Sequence, residues 1–259
     1  MTRNIIATGL LLFGLSGANA DAASCTAHSG PATVAVVELY TSEGCNSCPP
    51  ADRWLSATIA PGGAGAIALA FHVDYWNGLG WPDRFASRTF TTRQHQVAEA
   101  NGASFVYTPQ VTLQGRDFPG WRSADAAKAI AAAASRPARA TLALEARVAG
   151  GSVQFDATAD VPGPRDRTGA ALYVALADSG HVSDVKAGEN KGVHLTHDHV
   201  VRTVSGATAA SSDGRARLTG TLPWPSEAGR APTLVAVMQN PATGDVLQAL
   251  ALPLQACKD

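Results

Sequence analysis

Apolar positions change their period once along this chain, near residue 140, and the change divides it. The β-branched run Val34, Val36, Val37 ends at Glu38-Leu39-Tyr40 and predicts a buried strand; Ala51 to Ile59, with Trp54, Leu55 and Thr58 at helical spacing and Pro61-Gly62-Gly63 behind them, predicts a helix. Ala66 to Val73 reads as a second buried strand. An insert follows from Asp74 to Gly102, an aromatic loop (Tyr75, Trp76, Trp81, Phe85) and then a polar helical stretch from Thr92 to Ala100. Phe105 to Leu113 is extended, Gln114-Gly115-Arg116 turns into Asp117-Phe118 as a hairpin, and Ser123 to Ala134 is an alanine-rich helix with Ser123 as its cap. Ser135-Arg136-Pro137 breaks that helix and serves as a linker.

From Ala140 onward apolar residues alternate with polar ones. Leu142, Leu144, Ala146 and Val148 face away from Thr141, Glu145 and Arg147; Val153, Phe155, Ala157 and Ala159 repeat the pattern, and so do Ala216, Leu218 and Leu222. Further strands are expected near Ala171–Ala177, Leu195–Val204, Thr233–Gln239 and Val246–Leu254. Short strands separated by Gly, Pro, Asn and Asp clusters predict an antiparallel, sandwich-like β domain. The expected organisation is an α/β domain over 31–135, with its insert at 74–102, and an all-β domain over 140–256.

The amino terminus changes the picture of where the chain works. Arg3, an apolar run from Ile5 to Leu15 and the small-x-small site Ala18-Asn19-Ala20 describe a secretory signal peptide over residues 1–20, cleaved after Ala20. The run is too short to span a bilayer, which takes about 20 residues, so no membrane insertion is expected after cleavage and the protein is expected in the periplasm or outside the cell. With 20 basic and 21 acidic residues, the chain has no basic surplus to recruit nucleic acid.

Four cysteines follow the cleavage point, and an even count in an exported chain permits disulfides. Three pairings are possible. Cys45 with Cys48 and Cys25 with Cys257 is favoured, because Cys25 and Cys257 flank the first and last predicted strands and would staple the termini. Cys45-Asn46-Ser47-Cys48 sits between a strand and a helix start. There the helix dipole and unpaired N–H groups favour a thiolate: a thiol of pKa about 8.5 is roughly 3% ionised at pH 7, one lowered to about 6 roughly 90%. Pro49 and Pro50 remove two of those N–H groups, leaving the Cys48 amide as the main donor expected for Cys45.

ELYTSEGCNSCPPAD at 38–52, followed by Thr108-Pro109 after a long insert, resembles the thioredoxin superfamily. Together with HVDYWNGLGW at 72–81 and GENKGVHLTHDHVVR at 188–202, these segments resemble a secreted thioredoxin-like family catalogued as a domain of unknown function, number 1223. The resemblance implies a thioredoxin-like α/β N-terminal domain with an appended β domain, and it supplies no substrate. It implies Cys45 as the attacking sulfur and Cys48 as the resolving one, Pro109 as a cis-proline facing the dithiol, Thr108 as a backbone contact for an extended substrate, and Glu38 as a buried carboxylate serving as general base, for which a carboxylate paired with a neighbouring cation is the equal alternative.

Trp76 and Trp81 are candidates for a substrate groove beside the dithiol, although aromatics plugging a loop onto the core explain them as well. His72 with the two cysteines would suit copper, which takes thiolate and imidazole together. His194, His197 and His199 fall within six residues, with His197 and His199 expected on one strand face, and no third ligand accompanies them. The expected activity is thiol–disulfide exchange with protein or small-molecule thiols and disulfides of the cell envelope, without a cofactor and with a recycling partner the sequence does not name. A copper-binding module and a redox-inert interaction module are the rival readings.

Overall fold

Strands outnumber helices, and burial on one or both faces explains how they sort into sheets. The computed structural model describes residues 24–59, 65–225, 227 and 229–257. The expected signal peptide and its cleavage point lie outside them, as does Pro61-Gly62-Gly63. β1 (Ser24–His28) leads to β2 (Ala35–Thr41), α1 (Pro49–Thr58) and β3 (Ala66–His72). α2 (Arg88–Ala100), β4 (Gln110–Leu113), β5 (Arg116–Asp117) and α3 (Ala126–Ala134) follow. Then come β6 (Thr141–Ala149), β7 (Ser152–Asp160), the short α4 (Pro164–Arg167), β8 (Ala171–Ser179), β9 (His181–Asp184) and β10 (His194–His197). β11 (Val200–Val204), β12 (Thr208–Ala209), β13 (Arg215–Pro223), β14 (Arg230–Gln239) and β15 (Val246–Pro253) complete the chain.

The expected fold class is corrected here. Instead of a thioredoxin-like α/β domain followed by a separate sandwich, the chain forms a mostly β structure in which both halves share one mixed nine-stranded sheet, ordered β15-β14-β8-β11-β3-β2-β4-β5, with β12 paired to β8. β2 and β3 run parallel from Ala35 opposite Ala66 to Thr41 opposite His72. β3 then passes the sheet on to β11, where Val200 lies opposite Ala70 and the Ala70 N–H donates to the His199 carbonyl at 2.8 Å. The reason is physical: a buried strand such as Ala66–His72 leaves a row of unmatched N–H and C=O groups at a free edge, and strands of the second half take up that edge. The periodicity of each strand is visible in the sequence. Its choice of neighbour is not.

β1, β6, β7 and β13 make a four-stranded antiparallel sheet, and β9 with β10 forms a hairpin that pairs with neither larger sheet. On one face of the nine-stranded sheet, α1 and α3 pack over β2 and β3 through Val37, Leu39, Leu55, Ala70 and Ile130. The four-stranded sheet packs over β8 and β14 through Leu144, Phe155, Leu172, Val174 and Met238. α2 covers the other face, where Phe90 and Val97 meet Val36, Tyr40, Leu69 and Phe71. Burial on both faces is why β2 carries apolar residues on both sides, with Glu38 its one charged position.

Local differences have local causes. α2 starts at Arg88 rather than Thr92, because the Ser87 hydroxyl accepts the Thr89 N–H at 3.2 Å and caps it. Ser123 does not cap α3; its hydroxyl donates to the Gly120 carbonyl at 2.8 Å and closes the turn before it. The single strand expected over Leu195–Val204 is two, since His199 takes φ +57°, a left-handed conformation that breaks β10 from β11.

Candidate functional site

β2 ends at Thr41 and its chain turns through Ser42–Gly44 into the dithiol. The Cys45 N–H donates to the Ser42 carbonyl and the Cys48 N–H to the Cys45 carbonyl, both at 3.2 Å. Pro49 and Pro50 then occupy the opening positions of α1, where a missing N–H costs nothing. Cys45 and Cys48 stand at disulfide distance with Cα atoms 5.5 Å apart, and neither has exposed surface. The Cys48 amide is spent on the Cys45 carbonyl, which corrects its expected role as donor to the Cys45 sulfur. The polar neighbour of that sulfur is the Ser47 hydroxyl, at 3.2 Å.

Two distant segments close on this turn. The Thr108–Pro109 peptide bond is cis, and the Ser47 hydroxyl donates to the Thr108 carbonyl at 3.4 Å, so Thr108 and Pro109 lie beside the dithiol as the resemblance implies. The insert supplies Trp76, whose indole N–H donates to the Thr108 hydroxyl at 2.8 Å, and Trp81, whose indole N–H donates to Glu43 Oε2 at 2.7 Å. Both tryptophans are half-buried and brace the loops. At Gly44 the insert packs tightly: a Cβ there would meet the Trp76 Cβ at 3.2 Å, so a larger residue would have to push Trp76 back by a few tenths of an ångström.

Glu38 is not with the dithiol. Even-numbered positions of β2 face α2, on the opposite side of the sheet from α1, and there Glu38 forms an ion pair with Arg93 and accepts hydrogen bonds from the Tyr40 hydroxyl at 2.8 Å and the Tyr173 hydroxyl at 3.3 Å. Period two decides this: one residue of register selects the face.

A different set of acids lies on the dithiol side, and residue-by-residue reading missed it. Asp52 stands four residues beyond Cys48, with its N–H on the Cys48 carbonyl at 3.2 Å and its carboxylate accepting from the Thr41 hydroxyl at 3.3 Å. Burial lifts its carboxyl above the usual carboxylate range, against the opposing pull of His197 and His72. His72 Nδ1 is 2.6 Å from Asp83 Oδ2, which also accepts the Glu43 N–H at 2.9 Å. Burial works against the imidazolium, yet Asp83 carries His72 above its ordinary value; burial likewise opposes the Asp83 charge, and His72 carries it below. Glu43 lies 3.3 Å from His197 Nε2; burial alone would raise its carboxyl, but His197, Ser183 and Trp81 bring it below the ordinary range. These groups come from β3, α1, β10 and two loops, so only His72, the polar end of a continuous apolar strand, signals any of them.

The histidines after residue 193 separate. His194 is exposed beside Asp184 at 2.8 Å, His197 is buried against Glu43, and His199 donates from Nε2 to the Ile59 carbonyl at 2.7 Å. The shared face expected for His197 and His199 is lost at the break between β10 and β11. Among the described residues no three His, Cys, Asp or Glu side chains form a metal-binding group.

The second pair, Cys25 and Cys257, has Cα atoms 5.1 Å apart and ties β1 to the turn after β15. No described helix is long and apolar enough to cross a membrane.

Residues 36–239 match the family described as "Protein of unknown function (DUF1223)". No curated protein matches the chain. Among solved structures, the protein AGR_C_4864 from Agrobacterium tumefaciens is 31% identical with a TM-score of 0.61, the alignment covering 87% of this chain and 96% of that one. HBP35 of Porphyromonas gingivalis shares the fold at 13% identity and a TM-score of 0.61, over 87% of this chain and 76% of its own.

Proposed function

Since the chain belongs to that family of unknown function, we propose from its geometry that it carries out thiol–disulfide exchange at Cys45 and Cys48. The observation that carries this reading is the pair itself, two sulfurs within one turn at the head of α1, with buried Asp52 one helical turn further on.

In the reduced protein the Cys45 thiolate attacks one sulfur of a substrate disulfide. That disulfide breaks, a Cys45–substrate bond forms, and the first substrate thiolate leaves. Cys48 gives its proton to Asp52 and its thiolate attacks Cys45, forming the Cys45–Cys48 disulfide and releasing the second substrate thiolate. The substrate gains two electrons and the protein loses two; run backward, the protein oxidises a dithiol. Asp52 suits the proton step because residues i and i+4 share a helix face and because a buried carboxyl with raised pKa readily holds a proton. Thr108 and Pro109 border the site where a substrate would lie.

Protein or small-molecule thiols and disulfides of the cell envelope are the proposed substrates. Two cysteine pairs at disulfide distance, Cys45–Cys48 and Cys25–Cys257, suit an oxidising compartment. Complete burial of Cys45 and Cys48 favours one other reading, an inert clamp in an interaction module. Trapping separates the two. With Cys48→Ala the mixed disulfide cannot resolve, so incubation with a disulfide-bonded protein should accumulate adducts on Cys45 that are absent from the Cys45→Ser, Cys48→Ala double variant. A clamp yields none from either.

A further inference from the structure

The tip of the β9–β10 hairpin lies over the dithiol loop. No strand ladder joins this hairpin to another described strand, and its connection closes on itself through the Gly192 N–H to the Val185 carbonyl at 2.8 Å and the Val193 N–H to the Asn190 carbonyl at 2.9 Å. Asn190 is 4% exposed, and its side-chain amide donates to two carbonyls of the dithiol loop, Glu43 at 2.8 Å and Cys45 at 2.9 Å. Glu189, at the surface, accepts the Asn46 N–H at 3.1 Å. Gly188 packs on the insert, where a Cβ would meet the Trp81 Cβ at 3.3 Å. The Glu189 and Asn190 hydrogen bonds cross from the second half of the chain to the residues flanking Cys45. They account for a paradox of the site: a dithiol with no exposed surface beside exposed Asn46 and Ser47.

We propose that Glu189 and Asn190 gate access to Cys45, so that thiols and disulfides of any size reach its sulfur only when the hairpin tip lifts. The inference rests on reading Cys45 as the attacking sulfur. The tip is held by three hydrogen bonds and no covalent tie, so its release is a local opening rather than unfolding. Glu189 also places a negative charge beside Asn46, where it opposes a thiolate on Cys45 until the tip moves.

The test is alkylation of Cys45 in the reduced Cys48→Ala protein, followed by peptide mass spectrometry, with iodoacetamide as the small reagent and a polyethylene-glycol maleimide as the bulky one. Added Asn190→Ala should speed both reagents about thirtyfold, as loss of two ordinary hydrogen bonds implies, and Glu189→Ala about fivefold for one. Glu189 is exposed, so its variant keeps the test valid if Asn190→Ala fails to fold. A folded Asn190→Ala protein, or failing that Glu189→Ala, that alkylates no faster than its parent overturns the proposal. Alkylation is read whether or not the dithiol turns over, so a failure of exchange would sink the reading above and leave this result standing.

Discussion

Two carboxylates of the first half, Glu38 and Asp52, are both buried, and the protein treats them oppositely. Glu38 sits on the α2 face with Arg93, Tyr40 and Tyr173 around it, a charge fully answered by a cation and two hydroxyls. Asp52 sits on the α1 side with one hydroxyl at 3.3 Å and burial that favours its protonated form. A paired charge holds structure, whereas an unpaired buried acid is a proton store. The comparison teaches that burial alone does not mark a general base; what distinguishes one is the cation it lacks.

Breaking the Glu38 side should have the largest effect. Arg93→Met strands a buried glutamate, and losing one partner of such a pair costs about 3–5 kcal/mol, read as a lower midpoint in urea unfolding. The cost should shrink in Arg93→Met combined with Glu38→Gln. Breaking the Asp52 side should leave the fold and slow the chemistry: Asp52→Asn is expected to delay release of the Cys45 mixed disulfide on the order of 10²-fold, the scale of general-base catalysis. In stopped-flow oxidation of the reduced protein by a disulfide, that loss should come with a flattened pH profile. An Asp52→Asn protein that is badly destabilised but resolves at the normal rate would reverse the contrast.

The neighbouring ion pair predicts a pH dependence with a definite sign. His72 is raised in the folded protein, so its contribution is complete below the unfolded histidine value near 6.5 and is lost as pH rises through the folded value. Asp83 is lowered, so its contribution is present above the unfolded aspartate value near 3.9 and is lost as pH falls through the folded one. Between about pH 4 and 6.5 both are in place. Unfolding free energy should therefore decline from pH 6 to 8, and Asp83→Asn should flatten that decline. Smallest of all, Trp81→Phe removes one bond to Glu43 and should cost about 1 kcal/mol in the same unfolding assay.

Much of this site was legible because its parts are consecutive or carry backbone signatures. Cys45, Cys48, Thr108 and Pro109 lie together, and the Cys25–Cys257 pair is favoured by positions outside the first and last predicted strands, although Cys25 itself lies within β1. Glu38 failed because one residue of register chooses a face, and the loop to Cys45 gives no information about which. The nine-stranded sheet was invisible for a related reason: alternation tells which side of a strand is buried and says nothing about which strand lies beside it. Glu43, Asp52 and Asp83 were missed because each is an ordinary polar residue until segments as far apart as Glu43 and Asp83 close around it.

The central claim is that the Cys45–Cys48 pair cycles. Its reduction potential, measured by equilibrating the protein in glutathione buffers and quantifying both states by mass spectrometry with Cys45→Ser as control, tests that most directly. The account predicts a value between roughly −270 and −120 mV, the span from a reductant of proteins to a strong periplasmic oxidant. A pair that stays oxidised to below about −300 mV is a structural disulfide and contradicts it.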